Sequence, residues 1–524
     1  MLFFLIYYWF IPRFSYIDYM LQIVVYNQLS ELWIDKQTSQ ILFCLSHSIP
    51  QSPIGPLKFH TYSLVYEYAA WYEFIQSLQK KYTQTAMVVD RTYFDWIYTY
   101  CKDNSIVELC MMMPAEPYMQ RKFLAIQKKL KEQDITLSFL KNTQFLLEHD
   151  EFLSMYKKPP VMETFYRTMR KKLNILMQWD SKEAKPEWGS WNYDKENRKF
   201  TKDITTPKRL TFEHWVWLQK ALDFYKNQKN IDTLDFDLIP LTREQALQWL
   251  HYFVDTILQD FGPNEDAMYV EHRLVFHSLL SIPINFWLLS PHEVLDIALQ
   301  RHKKTPFDLP SIEGFVRQIL WWREYMYHWF LFYKHTIYQE NKLWHTNNIP
   351  YYFWETNKTP HEMNCLNTVI KAVDKHAYSH HIERLMIVWN ISLLTQTNPK
   401  DVLLRFWEQY LDAFERVVVP NVMWMSQFAD GGGLATKPYV SSANYINKMS
   451  NFCTSCHYDH KKKSWSDACP VNYLYWTFVA DNEDTFKRSR QPFLLKHLSN
   501  IDIKHLRELR QKFFLLYFDK KGSK

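Results

Sequence analysis

The sequence predicts an α/β, doubly wound parallel-sheet domain followed by a large all-α domain, with a long connector between them. Three observations lead there. In the first 150 residues short apolar runs alternate with stretches of helical spacing, the pattern of repeated βαβ units. Past about residue 245 the short runs vanish and long periodic stretches follow. Between these regions Pro159-Pro160, Pro186 and Pro207 interrupt the periodicity. The chain divides into an N-terminal extension at 1–19, the α/β domain at 20–150, the connector at 151–245 and the all-α domain at 246–524.

The extension begins with eleven apolar residues, Met1 to Ile11, broken by Pro12 and Arg13. A spanning helix needs about 20, and a signal peptide would carry a basic start and a small-residue cleavage site. The expectation is an extra segment ahead of the first strand, in a cytoplasmic chain with no membrane partner. Leu21–Tyr26, Ile41–Cys44, Ala86–Val89, Ile106–Met111 and Ile135–Phe139 read as buried strands, and Leu64–Lys80, Thr92–Lys102 and Pro117–Lys131 as the helices among them. The connector carries a basic cluster of Arg167, Arg170, Lys171 and Lys172, then six basic against two acidic residues from Lys195 to Arg209. Helical spacing returns at Arg243–Leu258, Val270–Leu280, Pro291–Arg301, Ser311–Tyr333, Ala377–Leu394, Asp401–Val417 and Ile503–Tyr517. Several of these are apolar around most of their circumference, which suits the interior of a large helical domain.

Only eight glycines occur in 524 residues, and none of their spacings makes G-x-G-x-x-G or G-x-x-x-x-G-K-[ST]. Gly-cradled nucleotide sites are excluded, so any nucleotide must be held by other donors. Apolar residues at 47% and charged residues at 23% describe a folded chain rather than a disordered one. The net charge of +6 permits a nucleic-acid partner without demanding one.

Seven cysteines are an odd count in a long chain, unlike a disulfide scaffold. Cys44, Cys101 and Cys110 fall in apolar runs and read as buried small hydrophobes. Cys453-Thr-Ser-Cys456 is a C-x2-C pair, and Cys469-Pro470 follows after twelve intervening residues. Three thiolates at that spacing can face one metal centre, with Cys365 as the candidate fourth. Zinc and a [4Fe-4S] cluster both accept four thiolates. A lone third Cys followed by Pro is more typical of iron–sulfur sites. A thioredoxin-like pair would sit on a βαβ unit, whereas this one follows helices.

Longer strings carry a family resemblance. Phe261-Gly-Pro-Asn-Glu-Asp-Ala-Met268, His277-Ser-Leu-Leu-Ser281, Phe315–Tyr325 and His380-His-Ile-Glu-Arg-Leu-Met386 resemble the photolyase/cryptochrome superfamily. Met425–Gly433, Thr436–Ser442 and Cys469–Trp476 resemble its iron–sulfur bacterial cryptochromes and photolyases, and Met162–Arg170 with Trp191–Arg198 extend the likeness through the connector. The resemblance implies an antenna-type α/β domain and a helical domain holding bent FAD and a [4Fe-4S] cluster. The implied activity is light-driven repair of the (6-4) pyrimidine–pyrimidone lesion. The implied partner is DNA containing UV photoproducts, bound by a monomer.

Residue by residue, the resemblance places Ser278 and Ser281 at flavin-binding positions, where hydroxyls and a helix N-terminus can hold a diphosphate. Arg384 and Asp412 match a buried charge pair beside the isoalloxazine, able to favour an anionic reduced flavin. Asn390 and Lys437 match further flavin contacts. His381 matches the proton donor and His380 its orienting partner. Adjacent positions in one helix would splay these two side chains by about 100°. Trp322 and Tyr439 match the wall that replaces base stacking for a flipped dinucleotide, with Met425 nearby. Lys461-Lys-Lys463 and Arg198-Lys199 are candidate contacts to DNA phosphates.

Four departures stand out. Tyr26-Asn-Gln-Leu29 replaces the usual Gly-Asp-Gln-Leu, which argues against a lumazine-type antenna chromophore. Val388-Trp-Asn390 replaces Thr-Gly-Asn. Val418 stands where relatives place an acid facing flavin N5. Arg405-Phe406 replaces an aromatic pair, headed by Trp, that serves photoreduction; Trp407, Trp389 and Trp354 could supply another route. Two readings follow: a rewired photolyase, or a non-repairing blue-light or redox-sensing cryptochrome that binds FAD and a cluster. A third, an iron–sulfur DNA-binding protein without flavin, leaves the Ser278–Ser281 string unexplained.

Overall fold

The computed structural model describes residues 20–25, 27–36, 38–45, 51–79, 81–82, 84–89, 93–180, 183–201, 204–213, 216–228, 231–350, 363–489 and 492–518. The extension at 1–19, Tyr26 and Trp354 lie outside the described residues. Five strands form the main sheet: β1 (Met20–Val25), β2 (Thr38–Leu45), β3 (Gln84–Val89), β4 (Glu108–Met112) and β5 (Thr136–Leu140). Their spatial order is β3-β2-β1-β4-β5, and every neighbouring pair is parallel. Period-two alternation sends successive side chains to opposite faces. Val24, Ile41 and Phe43 pack with α1 (Thr61–Gln79), while Leu21, Ile23, Val25 and Leu42 pack with α2 (Tyr93–Asp103) and α3 (Pro117–Lys131). Helices therefore cover both faces, as expected of a doubly wound sheet. Cys44, Cys101 and Cys110 are buried.

Strand order reverses between β1 and β4, the switch point where open α/β sheets form a crevice. Here that crevice receives a side chain from the helical region. Arg416 is ion-paired to Glu116, both buried. Arg416 Nη2 donates to the Asn285 carbonyl at 3.0 Å, and Asn285 Nδ2 donates to the Asp412 carbonyl at 3.1 Å. The sheet is thus tied through three residues to Asp412. Replacing a buried charge pair by apolar residues can be neutral, but removing one partner strands the other at a cost of about 3–5 kcal/mol.

Within the connector lie a helix at Met162–Leu173, a two-stranded ribbon of Met177–Asp180 with Glu183–Pro186, and a helix at Val216–Phe224. Arg170, from the basic cluster, is buried and donates to the carbonyls of Ile175, Trp191 and Leu176 at 3.1, 2.8 and 2.5 Å. It serves the fold.

The C-terminal region is mostly helical, with three corrections to the expected elements. Val270–Leu280 is not a helix: Val275 and Leu279 take positive φ (44° and 57°), and Arg209 donates to the carbonyls of Leu274, Val275 and His277. Ala377–Leu394 is broken, because Ala377 ends the preceding helix Asn364–His376 in the left-handed region and helix resumes only at His381. Asp401–Val417 is also broken, into Pro399–Gln409 and a helix from Glu415, with Asp412 in the gap. Among the described residues four helical runs widen into π-helical turns, at Phe253–Ile257, Gln318–Tyr325, Arg384–Trp389 and Asn421–Ser426. Gly262 marks a backbone-to-backbone approach: an added Cβ would lie 2.4 Å from the Pro310 carbonyl carbon and from Ser311 N. Among the described residues no helix is long and apolar enough to cross a membrane.

Candidate functional site

The gap that holds Asp412 faces Arg384. Arg384 Nη1 lies 3.0 Å from Asp412 Oδ1 and Nη2 lies 3.1 Å from Oδ2, a two-pronged pair. Ser281 Oγ donates to Asp412 Oδ2 at 2.7 Å, and Arg384 Nε donates to the Ser379 carbonyl at 2.8 Å. The guanidinium also stands over the Tyr410 ring at 4.4 Å and the Tyr378 ring at 5.1 Å. Charge, hydrogen bonds and ring faces all hold one cation, so its position is over-determined.

Ser281 opens a five-residue helix, Ser281–Asn285, while Ser278 lies in the loop before it. The long helix expected to end there is absent, so the serines act through their own hydroxyls and loop backbone. Asn390 stands apart from the charge pair. Its Nδ2 donates to the Ser441 carbonyl at 3.0 Å and its Oδ1 accepts from Ser441 N at 3.1 Å, which pins the segment just after Tyr439. Lys437 is half-buried on that same segment.

The two histidines differ from the expected helical pair. His380 is the N-cap, with extended backbone (φ −71°, ψ 163°), and His381 is the first helical residue. His380 stacks on His277 at 3.9 Å with the planes 12° apart. His381 lies between Trp322 (5.9 Å) and Trp389 (5.7 Å, edge-on). Trp389 is therefore a wall of the histidine pocket, and it continues to Phe406 at 4.9 Å. Burial, then Arg384 and His277, push the His381 pKa down to about 3. Glu383 stands 3.6 Å from His380, and burial raises its carboxyl to about 8. Among the described residues both ring nitrogens of His380, Nε2 of His381, Oε2 of Glu383 and Nε1 of Trp389 are buried without a hydrogen-bond partner. Such a concentration of unsatisfied polar atoms marks a place that a polar group completes.

Trp322 and Met425 sit on two of the π-helical turns, at Gln318–Tyr325 and Asn421–Ser426, and Arg384 starts a third. Wide turns of this kind recur at functional sites because they re-aim a side chain. Met425 is buried and Tyr439 is half-buried, with Asp194 and Arg198 of the connector close enough to affect its phenol. His277, Glu383, Tyr378 and Tyr410 were missed as contributors. The first two lie inside recognisable strings; the two tyrosines carry no sequence signal.

Cys365, Cys453, Cys456 and Cys469 line one apolar cavity, with Met363, Ile446 and Phe452 among its other walls. They come from the helix Asn364–His376, from a loop, and from the residue before the helix Pro470–Asp481. Among the described residues no three His, Cys, Asp or Glu side chains converge tightly enough to hold a single metal ion. Burial raises the Cys365 thiol, and Cys469, Cys453 and Cys456 raise it further; Cys453 is pushed up to about 11 and Cys469 to about 12. Four thiols opposing one another around a void suit a cationic group larger than one ion, which would reverse those shifts.

Comparison with known proteins places these features in context. Residues 23–233 match the model of a family described as deoxyribodipyrimidine photo-lyase-related protein. A (6-4) photolyase of Agrobacterium fabrum is 38% identical over 386 residues, 72% of this chain and 74% of that protein. An uncharacterised protein of Acanthamoeba polyphaga mimivirus is 38% identical over 102 residues, 20% of this chain and 76% of its own length. Among solved structures, a class III photolyase from Agrobacterium tumefaciens superposes with a TM-score of 0.60 at 15% identity, covering 96% of this chain and 98% of that one.

Proposed function

Because this chain belongs to the photolyase family, we propose that it is a DNA photolyase performing light-driven repair, with the (6-4) pyrimidine–pyrimidone lesion as substrate and FAD as cofactor. The observation that carries the assignment of its residues is the placing of His381 between two tryptophan rings and beside the Arg384–Asp412 pair. FAD, when bound, supplies an electron on light excitation. Ser281, Asp412 and Arg384 would hold it, with Ser278, Asn390 and Lys437 as further contacts. The unsatisfied atoms of His380 and His381 fit a polar ligand at this place.

The residues do the rest. Arg384 is fixed by Asp412 and the Ser379 carbonyl, so its charge is in place before negative charge develops, the arrangement that costs least reorganisation. Trp322 and Tyr439 supply ring faces for a base taken out of the duplex. His381 is neutral at pH 7, because burial and Arg384 disfavour its cation. Negative charge arriving on the lesion offsets both effects and favours the imidazolium, so His381 would take up a proton from solvent and pass it to the lesion, returning to the neutral ring. His380, wedged against His277, holds the backbone entry to His381.

Four cysteines would hold a [4Fe-4S] cluster; the thiol set, the apolar cavity that it lines and, among the described residues, the lack of three side chains close enough to hold one ion support that over a single zinc ion. A non-repairing cryptochrome is the second reading. Val418, buried where relatives carry an acid, and Arg405, buried where they carry Trp, favour it. One experiment separates the two. The purified protein is examined for flavin absorbance, then illuminated with blue light together with an oligonucleotide containing a (6-4) lesion. Loss of the lesion supports repair, bound flavin without repair supports the second reading, and absence of flavin refutes both.

A further inference from the structure

We propose that the loop between Cys456 and Cys469 is a docking surface for the DNA backbone flanking the lesion, through Lys461 and Lys463 with Trp465 beside them. The inference rests on the photolyase reading for the identity of its partner. It does not depend on the cluster.

Lys461 and Lys463 are exposed and Trp465 is 69% exposed. Among the described residues neither lysine has a carboxylate partner, whereas Lys462 between them is paired to Asp467. Lys463 Nζ stands 5.6 Å from the Trp476 ring, an arrangement that directs the ammonium without neutralising it. The connector's basic residues differ. Arg198 is shared between Asp194 and Asp266, and Lys199 is paired to Glu196. Of the two candidate sets of phosphate contacts, Arg198 and Lys199 are paired with acids, whereas Lys461 and Lys463 are not paired with a carboxylate among the described residues.

The loop is also built, not loose. Asp459 Oδ1 accepts from Lys461 N at 2.8 Å, Asp459 N donates to the Asp467 carbonyl at 2.9 Å, and Cys469 N donates to the Asp459 carbonyl at 3.1 Å. His505 Nε2 lies 2.7 Å from the Ser464 carbonyl. Asn472 fastens the loop to the lesion-binding candidates. Its Nδ2 donates to the His460 and Lys462 carbonyls at 2.8 and 2.9 Å, and its Oδ1 accepts from Ala443 N at 3.0 Å. Ala443 starts a helix four residues after Tyr439. Four residues span at most about 14 Å, and the Asn472 bridge adds about 8 Å, so the lysine loop lies within about 22 Å of Tyr439. At 3.4 Å per nucleotide that is about six nucleotides. A duplex with its lesion at Tyr439 can therefore bring phosphates to this loop.

The test measures binding of labelled duplexes, with and without a (6-4) lesion, as a function of KCl concentration. Each phosphate contact contributes about 0.9 to the slope of log K against log salt. K461A/K463A is expected to lower the slope by about 1.8, equally for damaged and undamaged DNA, and K461R/K463R to restore it. Shortening the flank on one side of the lesion below about six nucleotides is expected to remove the difference between variant and wild type. K128A/K131A, which deletes the same charge from exposed positions on α3, is the control. An unchanged slope in K461A/K463A overturns the proposal, and so does an equal fall in the control, since that is the effect of net charge alone. A reduced slope in a protein that repairs nothing would leave this surface standing and remove the repair reading.

Discussion

The two cofactor regions proposed for the helical domain are built by opposite means. Around Arg384 the chain satisfies itself: a carboxylate, a serine, a backbone carbonyl and two tyrosine rings hold one guanidinium. Around Cys365 it does not: four thiols line an apolar cavity, and burial, then the neighbouring cysteines, raise the Cys365 thiol. The first site is organised before any ligand arrives and can tolerate its absence. The second is an unfavourable collection of thiols that a cationic group would complete, so its occupant should contribute directly to the stability of the fold.

The largest effect should come from the site that cannot satisfy itself. Cys453→Ala is expected to reduce bound iron from about four atoms per chain to about none and to lower the melting temperature by about 10 °C or more. Iron content, visible absorbance and calorimetry check this; iron retained undiminished would refute the ligand assignment and the comparison with it. In the histidine pocket beside the Arg384–Asp412 pair, His381→Asn is expected to slow lesion repair about 100- to 10,000-fold while flavin content, iron and melting temperature stay as in the wild type. A parallel loss of flavin would mean that His381 holds the cofactor instead.

Asp412→Ala should destabilise by about 3–5 kcal/mol, because Arg384 is left buried and unpaired. The double change Asp412→Ala with Arg384→Met should recover much of that in denaturant unfolding, which would confirm that the pair is internally balanced. The smallest effect concerns pH. Burial holds His277 and His381 at about 4 and 3 and lowers His380 as well. These imidazoles are neutral in the folded state and take up protons on unfolding below about pH 6.5. Their contribution is complete above that pH and is lost as pH falls toward 4 and 3, each adding a slope of about 1.4 kcal/mol per pH unit. Glu383, raised to about 8, acts oppositely and loses its contribution as pH rises through 8. His277→Asn should remove one proton's worth of slope between pH 4 and 6, as read by denaturant titration at each pH.

The sheet was legible because period two and period 3.6 are each local properties, and the expected helix at Pro117–Lys131 has the observed bounds. The helical half was legible only where helices run on uninterrupted. Val270–Leu280 has helical spacing, yet Arg209, more than 60 residues earlier, takes its carbonyls. The helix Asn364–His376 was overlooked although Leu366, Val369, Ile370 and Val373 carry the spacing. His380, Asp412 and Ser281 all stand where continuous helix was expected to run or end, and the chain breaks at each. Local rules fail most often where tertiary chemistry needs a side chain turned inward. The motifs named those residues; only the fold revealed that Trp389 walls the histidine pocket and that Asn390 pins the segment behind Tyr439 instead of joining the charge pair.

Gly262 carries a consequence for how such a sequence can drift. A chain with eight glycines in 524 residues uses this residue sparingly. At Gly262 any side chain would meet the backbone of Pro310 and Ser311 at 2.4 Å, and backbone cannot step aside as a flexible side chain can. Substitution there must part the two helices that meet at that point, and the second of them runs on into the turn carrying Trp322. The position is thus a mutational dead end. Sequence change can pass around it but not through it without moving the turn that carries Trp322.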